Sequence, residues 1–290
     1  MQARSVGPES GPQGLIAALI TTSCGQNKTF VDSTSPLSEN PNVPMDKTSI
    51  TTNLEASQDK AMRTLKFDWP SFKIGIAEYP NAPTGCTAFI FPNNEVNAVL
   101  DKRGGATGSF YTDDIVEGVS KIDAIVFSGG SLLGLEAVSG VMREVFMKNN
   151  SHAVWGGVPF VSGAVIYDWI HRSSRLYPDI ALGKRAYHAA EYNIFYLGRR
   201  GAGINATVGK FQGLQYAEPG GQGGSFRVDK RTKIAVFTVV NSVGAIYDRQ
   251  GQLVKGCYNS EKNNIYNLPK RLVLPLIVVN KLVLKILLLA

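Results

Sequence analysis

Cysteine is scarce in this 290-residue chain, and the three present (Cys24, Cys86, Cys257) are far apart with no CxxC pair. That excludes a disulfide framework and a cysteine zinc site. Histidine is equally sparse: His152, His171 and His188 lack ligand spacing and read as surface or packing residues, not metal ligands. Hydroxyl side chains run out toward the C-terminus. From Glu261 onward there is no serine and no threonine, so Ser260 is the last residue of either type. The formal charge of +7 is scattered, with short clusters only at Arg199-Arg200 and Lys230-Arg231-Thr232-Lys233. Without aromatic-basic interleaving, net charge alone does not make a nucleic-acid surface, and no nucleic-acid partner is expected.

What is present is ordinary for a globular chain: 44% hydrophobic residues, 18% charged, and a length sufficient for a large core. Thirty glycines point to tight turns and close backbone approach.

The composition divides the chain into four stretches. Residues 1–24 hold a short apolar run, Leu15 to Ile20, followed by Thr-Thr-Ser-Cys24-Gly. An apolar run before small residues has the form of an export signal, and Cys24 would be the lipid-carrying residue of a lipoprotein. Glu9, a lone Arg4 and Thr21 fit that pattern poorly, so a disordered leader is the competing reading. Membrane attachment and a periplasmic or surface location are expected only if Cys24 is lipidated, and a cytoplasmic location otherwise. Residues 25–62 are rich in Ser, Thr, Asn and Pro without apolar periodicity, the composition of a flexible linker. Residues 63–260 form the folded domain. Residues 261–290 form an aberrant hydrophobic tail: Leu272 to Ala290 is mostly Leu, Ile and Val, broken by Pro275, Asn280, Lys281 and Lys285. It is too short and too charged for a transmembrane helix.

Within 63–260 the signals alternate. Lys73–Tyr79 and Thr84–Phe91 read as strands around a Pro80-Asn-Ala-Pro83 turn, and Val96–Leu100 as a third. Ile122–Phe127 reads as a buried strand ending at Ser128-Gly-Gly-Ser131, and Leu132–Met147 has helical spacing. A helix starting near Pro178-Asp179 is expected to include Tyr187–Tyr192. Lys233–Val240 and Ala245–Asp248 read as a hairpin-like pair around Asn241-Ser-Val-Gly244. Interleaved strands and helices give a mixed α and β class with helices packed on sheets.

Two near-motifs fail on spacing. Gly203 to Phe211 has five residues between its glycines where a phosphate loop has four, and Phe211 replaces the magnesium-binding hydroxyl. Gly129-Gly130-Ser131-Leu132-Leu133-Gly134 places its last glycine one position late for a nucleophile elbow. Ser131 reads instead as a helix cap, and Gly129-Gly130 as backbone that permits close approach to a pocket.

Several ordered motifs carry a more specific signal. They are Leu65-Lys-Phe-Asp-Trp-Pro70, Pro83-Thr-Gly85, Asp101-Lys-Arg-Gly-Gly105, Ser128-Gly-Gly-Ser131 with Gly134-Leu-Glu-Ala137, and Ala164-Val-Ile-Tyr-Asp168. Then follow Tyr177-Pro-Asp179, Ala181-Leu-Gly183, Gly201-Ala-Gly203 with Gly209-Lys210, and Asn241 with Val243-Gly244. In this order the stretch from Thr64 to Ser260 resembles the L-aminopeptidase/D-esterase family of self-processing amidases, most of all its nylon-oligomer hydrolase branch.

The resemblance implies an α+β fold, a four-layer α-β-β-α sandwich, with the C-terminal part incomplete here. It implies a precursor that cuts its own chain before a Ser or Thr, whose freed hydroxyl then attacks linear amides or short peptides. The chemistry is sound, because a hydroxyl needs an adjacent base and a freed α-amine of pKa ~8 supplies one. No metal or organic cofactor is implied, and homo-oligomers are. Lys210 resembles the family's active-site lysine, Asn241 the donor to the oxyanion, and Tyr167 the pocket tyrosine. Gly129, Gly130 and Ser131 resemble pocket backbone. Without the resemblance, a glycine-loop lysine, a strand-end asparagine and a tyrosine after an apolar run would read as solvated, turn-forming and core residues.

The resemblance breaks at the nucleophile. The family's Ser- or Thr-led strand lies downstream of Asn241, where this chain has no serine or threonine after Ser260. Ser225, after Gly223-Gly224, lies upstream and out of register. Two readings of the tail remain: a hydrophobic anchor, or a frame shift or truncation that replaced the catalytic segment. As written, the chain is expected to be neither processed nor active. A non-catalytic, lipid-tethered binding or structural relative is the alternative.

Overall fold

The computed structural model describes residues 62–92, 96–101, 108–117, 121–148, 157–259, 264–266 and 283–289. The leader with Cys24, nearly all of the 25–62 linker and most of the Asp101–Gly105 motif lie outside the described residues.

A six-stranded sheet forms the centre. Its strands are β1 (Lys73–Tyr79), β2 (Thr84–Ile90), β3 (Ser109–Phe110), β4 (Ala124–Ser128), β5 (Val161–Val165) and β6 (Glu191–Tyr192), ordered β3-β5-β4-β2-β1-β6. All neighbours are antiparallel except β4 and β5. A parallel pair needs a long crossover. Helix α1 (Leu135–Lys148) supplies it, and helix α2 (Ile180–His188) packs beside it.

The strand β2 is buried along its whole length because both faces are covered. Cys86, Ala88 and Ile90 face the helices, meeting Val138, Val141, Leu182 and Ala186. Phe89 faces the other way into an aromatic core with Phe127, Phe195 and Phe237. Phe237 belongs to a second sheet, built from β7 (Gly221–Asp229), β8 (Thr232–Val240) and β9 (Val283–Leu289) in that order, all antiparallel. Full burial of each such ring is worth about 2–3 kcal/mol, so this layer interface anchors the second sheet to the first.

The class is α+β, as expected. Among the described residues the layers are helix, sheet, sheet; a fourth, helical layer is not found there.

Several local expectations are corrected. Helix α2 ends at His188, and Glu191–Tyr192 pairs with β1 instead of continuing the helix. The strand β8 does not pair with the segment after Asn241. It takes β7 and β9 as partners, while Ile246–Tyr247 pairs with Leu253–Lys255. The third strand shrinks to Val96–Asn97. The reading of residues 261–290 as an aberrant tail is not among these corrections; within it Val283–Leu289 forms β9, with Val283 opposite Val240 and Leu289 opposite Ile234.

Candidate active site

Strand β8 carries a core-facing series, Ala235, Phe237 and Val239, into the buried Asn241, which is 5% exposed. Opposite it, the chain from Gly198 to Lys210 folds back on the same strand end. Gly209 adopts φ 76, and a Cβ there would lie 1.9 Å from the Gly256 carbonyl oxygen, so only glycine fits this turn. Its N–H donates to the Gly244 oxygen at 2.8 Å, and that of Lys210 to the Val243 oxygen at 2.9 Å. These two bonds consume the donors a phosphate would need, in keeping with the failed phosphate-loop spacing.

The same turn delivers the Lys210 ammonium to Asn241. Nζ donates to the Thr207 oxygen at 2.7 Å, Asn241 Oδ1 at 3.0 Å and the Asn241 carbonyl at 3.1 Å, with Ser242 O at 3.4 Å. No carboxylate is among these partners. Burial therefore dominates and pulls the lysine from 10.5 down to about 7. Asn241 is itself fixed: Oδ1 accepts from the Thr207 N–H at 2.9 Å, and Nδ2 donates to the Tyr167 carbonyl at 2.9 Å.

Lys210, Asn241 and Tyr167 are thus brought together. Tyr167 joins through its backbone carbonyl, while its side chain stands 48% exposed. One of the two Asn241 amide protons is engaged internally, which leaves the other as the only one able to meet an oxyanion.

Gly129, Gly130 and Ser131 sit at the end of β4, but their N–H groups are all taken. They donate to the Gly85 oxygen at 2.9 Å, Asp168 Oδ1 at 2.8 Å and the Ile166 oxygen at 2.9 Å. The close approach permitted by Gly129 is to the protein itself: a Cβ there would lie 2.1 Å from Asp168 Oδ2 and 2.7 Å from Thr84 Oγ1. The cap position before the 3-10 turn Ser131–Gly134 belongs to Gly130, at φ 75, so Ser131 is not the cap. A left-handed backbone at that point favours glycine over serine. Ser225 is exposed on β7, opposite Val236. Because Gly221 pairs with Val240, Ser225 lies four residues, roughly 13 Å, along the strand from the Asn241 end.

Sequence reasoning missed the polar residues beneath the site. Asp168 is fully buried, accepting from Thr84 Oγ1 at 2.6 Å and from Arg172 Nη2 at 3.0 Å. The Arg172 side chain is 1% exposed, and its guanidinium lies 3.9 Å from the centre of the Trp169 ring. Asn205 donates to the carbonyls of Asp168 and Ile170 at 2.7 and 2.8 Å. The i,i+4 spacing of Asp168 and Arg172 was the one readable signal. Among the described residues, no group of three or more His, Cys, Asp and Glu gathers to hold a metal.

A sequence model of peptidase family S58 matches residues 68–266. The chain is 38% identical over 198 residues to a 6-aminohexanoate-oligomer endohydrolase of Kocuria sp. (strain KY2), covering 68% of this chain and 54% of that protein. It is 34% identical over 175 residues to an uncharacterized aminopeptidase of Mycobacterium leprae (strain TN), covering 57% of this chain and 46% of that one. The chain therefore spans about half the length of these curated relatives. A solved L-aminopeptidase D-Ala-esterase/amidase from Ochrobactrum anthropi aligns with a TM-score of 0.44 and 16% identity over 58% of this chain and 50% of that one. On the family match and the ordered motifs that underlie it, this chain belongs to peptidase family S58.

Proposed function

We propose that this chain carries the charge-stabilising half of an amide-hydrolysis site acting on linear amides or short peptides. One observation carries the reading: the Lys210 ammonium, buried and lowered to about 7, lies 3.0 Å from Asn241 Oδ1. An amine that titrates near neutrality exchanges a proton with a neighbouring group at working pH. A side-chain amide beside it stabilises a tetrahedral oxyanion, an interaction whose loss typically costs roughly a hundredfold to a thousandfold in rate. The names of the relatives support the substrate class. The nucleophile is a Ser or Thr hydroxyl freed by self-cleavage, with its own α-amine as base.

Two of the residues bonded by Lys210 carry hydroxyls, but these do not fill that role. Those of Thr207 and Ser242 are buried and directed to Asn241 Oδ1 and the Gly244 oxygen. With no Ser or Thr after Ser260, the 290 residues by themselves neither process nor hydrolyse. Intact-mass spectrometry of the purified chain, with an assay on 6-aminohexanoate oligomers and amino-acid amides, tests this. A single 31.3 kDa species without turnover is the expected result; two fragments, or oligomer cleavage, would refute it.

The absence of Ser and Thr from Glu261 to Ala290 favours one second reading, a relative that binds amides without cutting them. Extending the chain with the C-terminal segment of the Kocuria relative separates the two. Turnover that Lys210→Ala abolishes supports the hydrolase, and saturable binding without turnover supports the binder.

A further inference from the structure

We propose that Asp168, ion-paired to Arg172, is the positioning residue of the Lys210–Asn241 site, holding in place the 167–170 segment against which both site residues are set. The proposal deepens the reading of that site, but its test requires no turnover.

The Asp168 carboxylate meets three separate parts of the molecule. Oδ2 accepts from Thr84 at the start of β2. Oδ1 accepts from the Gly130 N–H after β4 and from Arg172. These contacts unite the Pro83-Thr-Gly85, Ser128-Gly-Gly-Ser131 and Tyr167-Asp168 motifs, none of which bonds Lys210 Nζ directly. The central sheet thereby fixes a segment that has no ladder of its own.

That segment reaches the site by two routes. On one side, the Tyr167 carbonyl accepts from Asn241 Nδ2, which sets the rotation of the amide and leaves Oδ1 turned toward Lys210. On the other, Asn205 is clamped to the carbonyls of Asp168 and Ile170. Two residues later, Thr207 gives its N–H to Asn241 Oδ1 and its carbonyl to Lys210 Nζ. Both walls of the oxygen cage around Nζ therefore rest on residues 167–170. Loosening that segment admits water to the cage, and a hydrated lysine regains its charge.

A purely structural Asp168 would affect stability alone, and Asp123 provides the control. It too is buried and fixes a loop, its Oδ2 accepting from the Phe160 N–H at 2.7 Å, but no contact joins it to the cage. The experiment follows the titration of Lys210 in the full chain labelled with 13C-lysine, its Cε resonance assigned by its loss in Lys210→Met. In the unsubstituted chain the midpoint is expected at about 7. In Asp168→Asn it should rise by at least about one pH unit, a tenfold smaller ratio of neutral to charged lysine at equal pH. Thr84→Val, which removes one hydroxyl and no charge, should move it the same way by less. Asp123→Asn should lower the melting temperature and leave the midpoint in place. If Asp168→Asn and Thr84→Val lower the melting temperature while Lys210 titrates unchanged, Asp168 is a structural anchor only and the proposal fails. Should Asp168→Asn not fold, Thr84→Val decides alone. A midpoint near 10 in the unsubstituted chain would overturn the reading of Lys210 itself, and this proposal with it.

Discussion

Lys210 shows how one side chain's chemistry is set by what surrounds it. Four oxygens favour its ammonium form, yet none carries a full charge, and the desolvation of a buried cation outweighs them. The consequence for stability follows from proton linkage. The folded lysine loses its proton at about 7 while the unfolded one holds it to roughly 10.4, so between these values the unfolded state binds more protons. Stability contributed by this group therefore rises as pH climbs through that window. The melting temperature of the chain minus that of Lys210→Met should increase from pH 7 to pH 10 in scanning calorimetry. A flat difference would contradict the burial of the charge. The glycine-loop position of the lysine is readable in the sequence. Its lowered pKa is not, because that comes from burial of the ammonium among Thr207, Asn241 and Ser242, the last two more than thirty residues away.

At the scale of elements, the approach of α1 and α2 decides how tightly the helical layer sits. A Cβ on Gly183 would lie 2.1 Å from the Ala137 oxygen, and one on Gly140 would lie 2.3 Å from the Ile180 oxygen. Gly183→Ala sets two effects against each other. Alanine is the better helix former by about 1 kcal/mol, while overpacking against backbone costs about 1–3 kcal/mol. Backbone atoms cannot rotate away, so the steric term wins and urea unfolding should show a net loss of up to about 2 kcal/mol. The start of α2 was legible, since Asp179 Oδ1 accepts from the Leu182 N–H at 2.8 Å as an N-cap does. Its end was not. Nothing local in Tyr187–Tyr192 stops a helix; the chain leaves it so that Glu191 and Tyr192 can pair with Ile74 and Lys73.

For the whole molecule, the notable placement is that of β9. It lies along β8 and begins opposite Val240, the residue before Asn241. The apolar composition of the tail suggested an anchor or an aberrant end, and periodicity alone could not distinguish a strand from either. Hydrogen exchange checks the pairing. With β9 in place, the β8 amides directed away from β7 should be protected as strongly as those directed toward it. Fast exchange of every second β8 amide would remove β9 from the sheet. Among the described residues no helix is long and apolar enough to cross a membrane.

Local preferences were enough to place β1, β2, β4, the start of α2 and the glycine turn before Lys210. Each depends on backbone geometry or alternation within a few residues. The ordered motifs likewise carried the family resemblance and the positions of Lys210, Asn241 and Tyr167. Only the tertiary structure decided the partners of β8, the pairing of Val283–Leu289, and the contacts of Asp168 and Arg172. Strand pairing, desolvation and buried polar satisfaction are set by neighbours far apart in the chain: Thr84 meets Asp168 across 84 positions and Tyr167 meets Asn241 across 74. No local pattern encodes such a meeting, because the cost of stripping water from each polar group is offset only when a distant partner completes its hydrogen bonds.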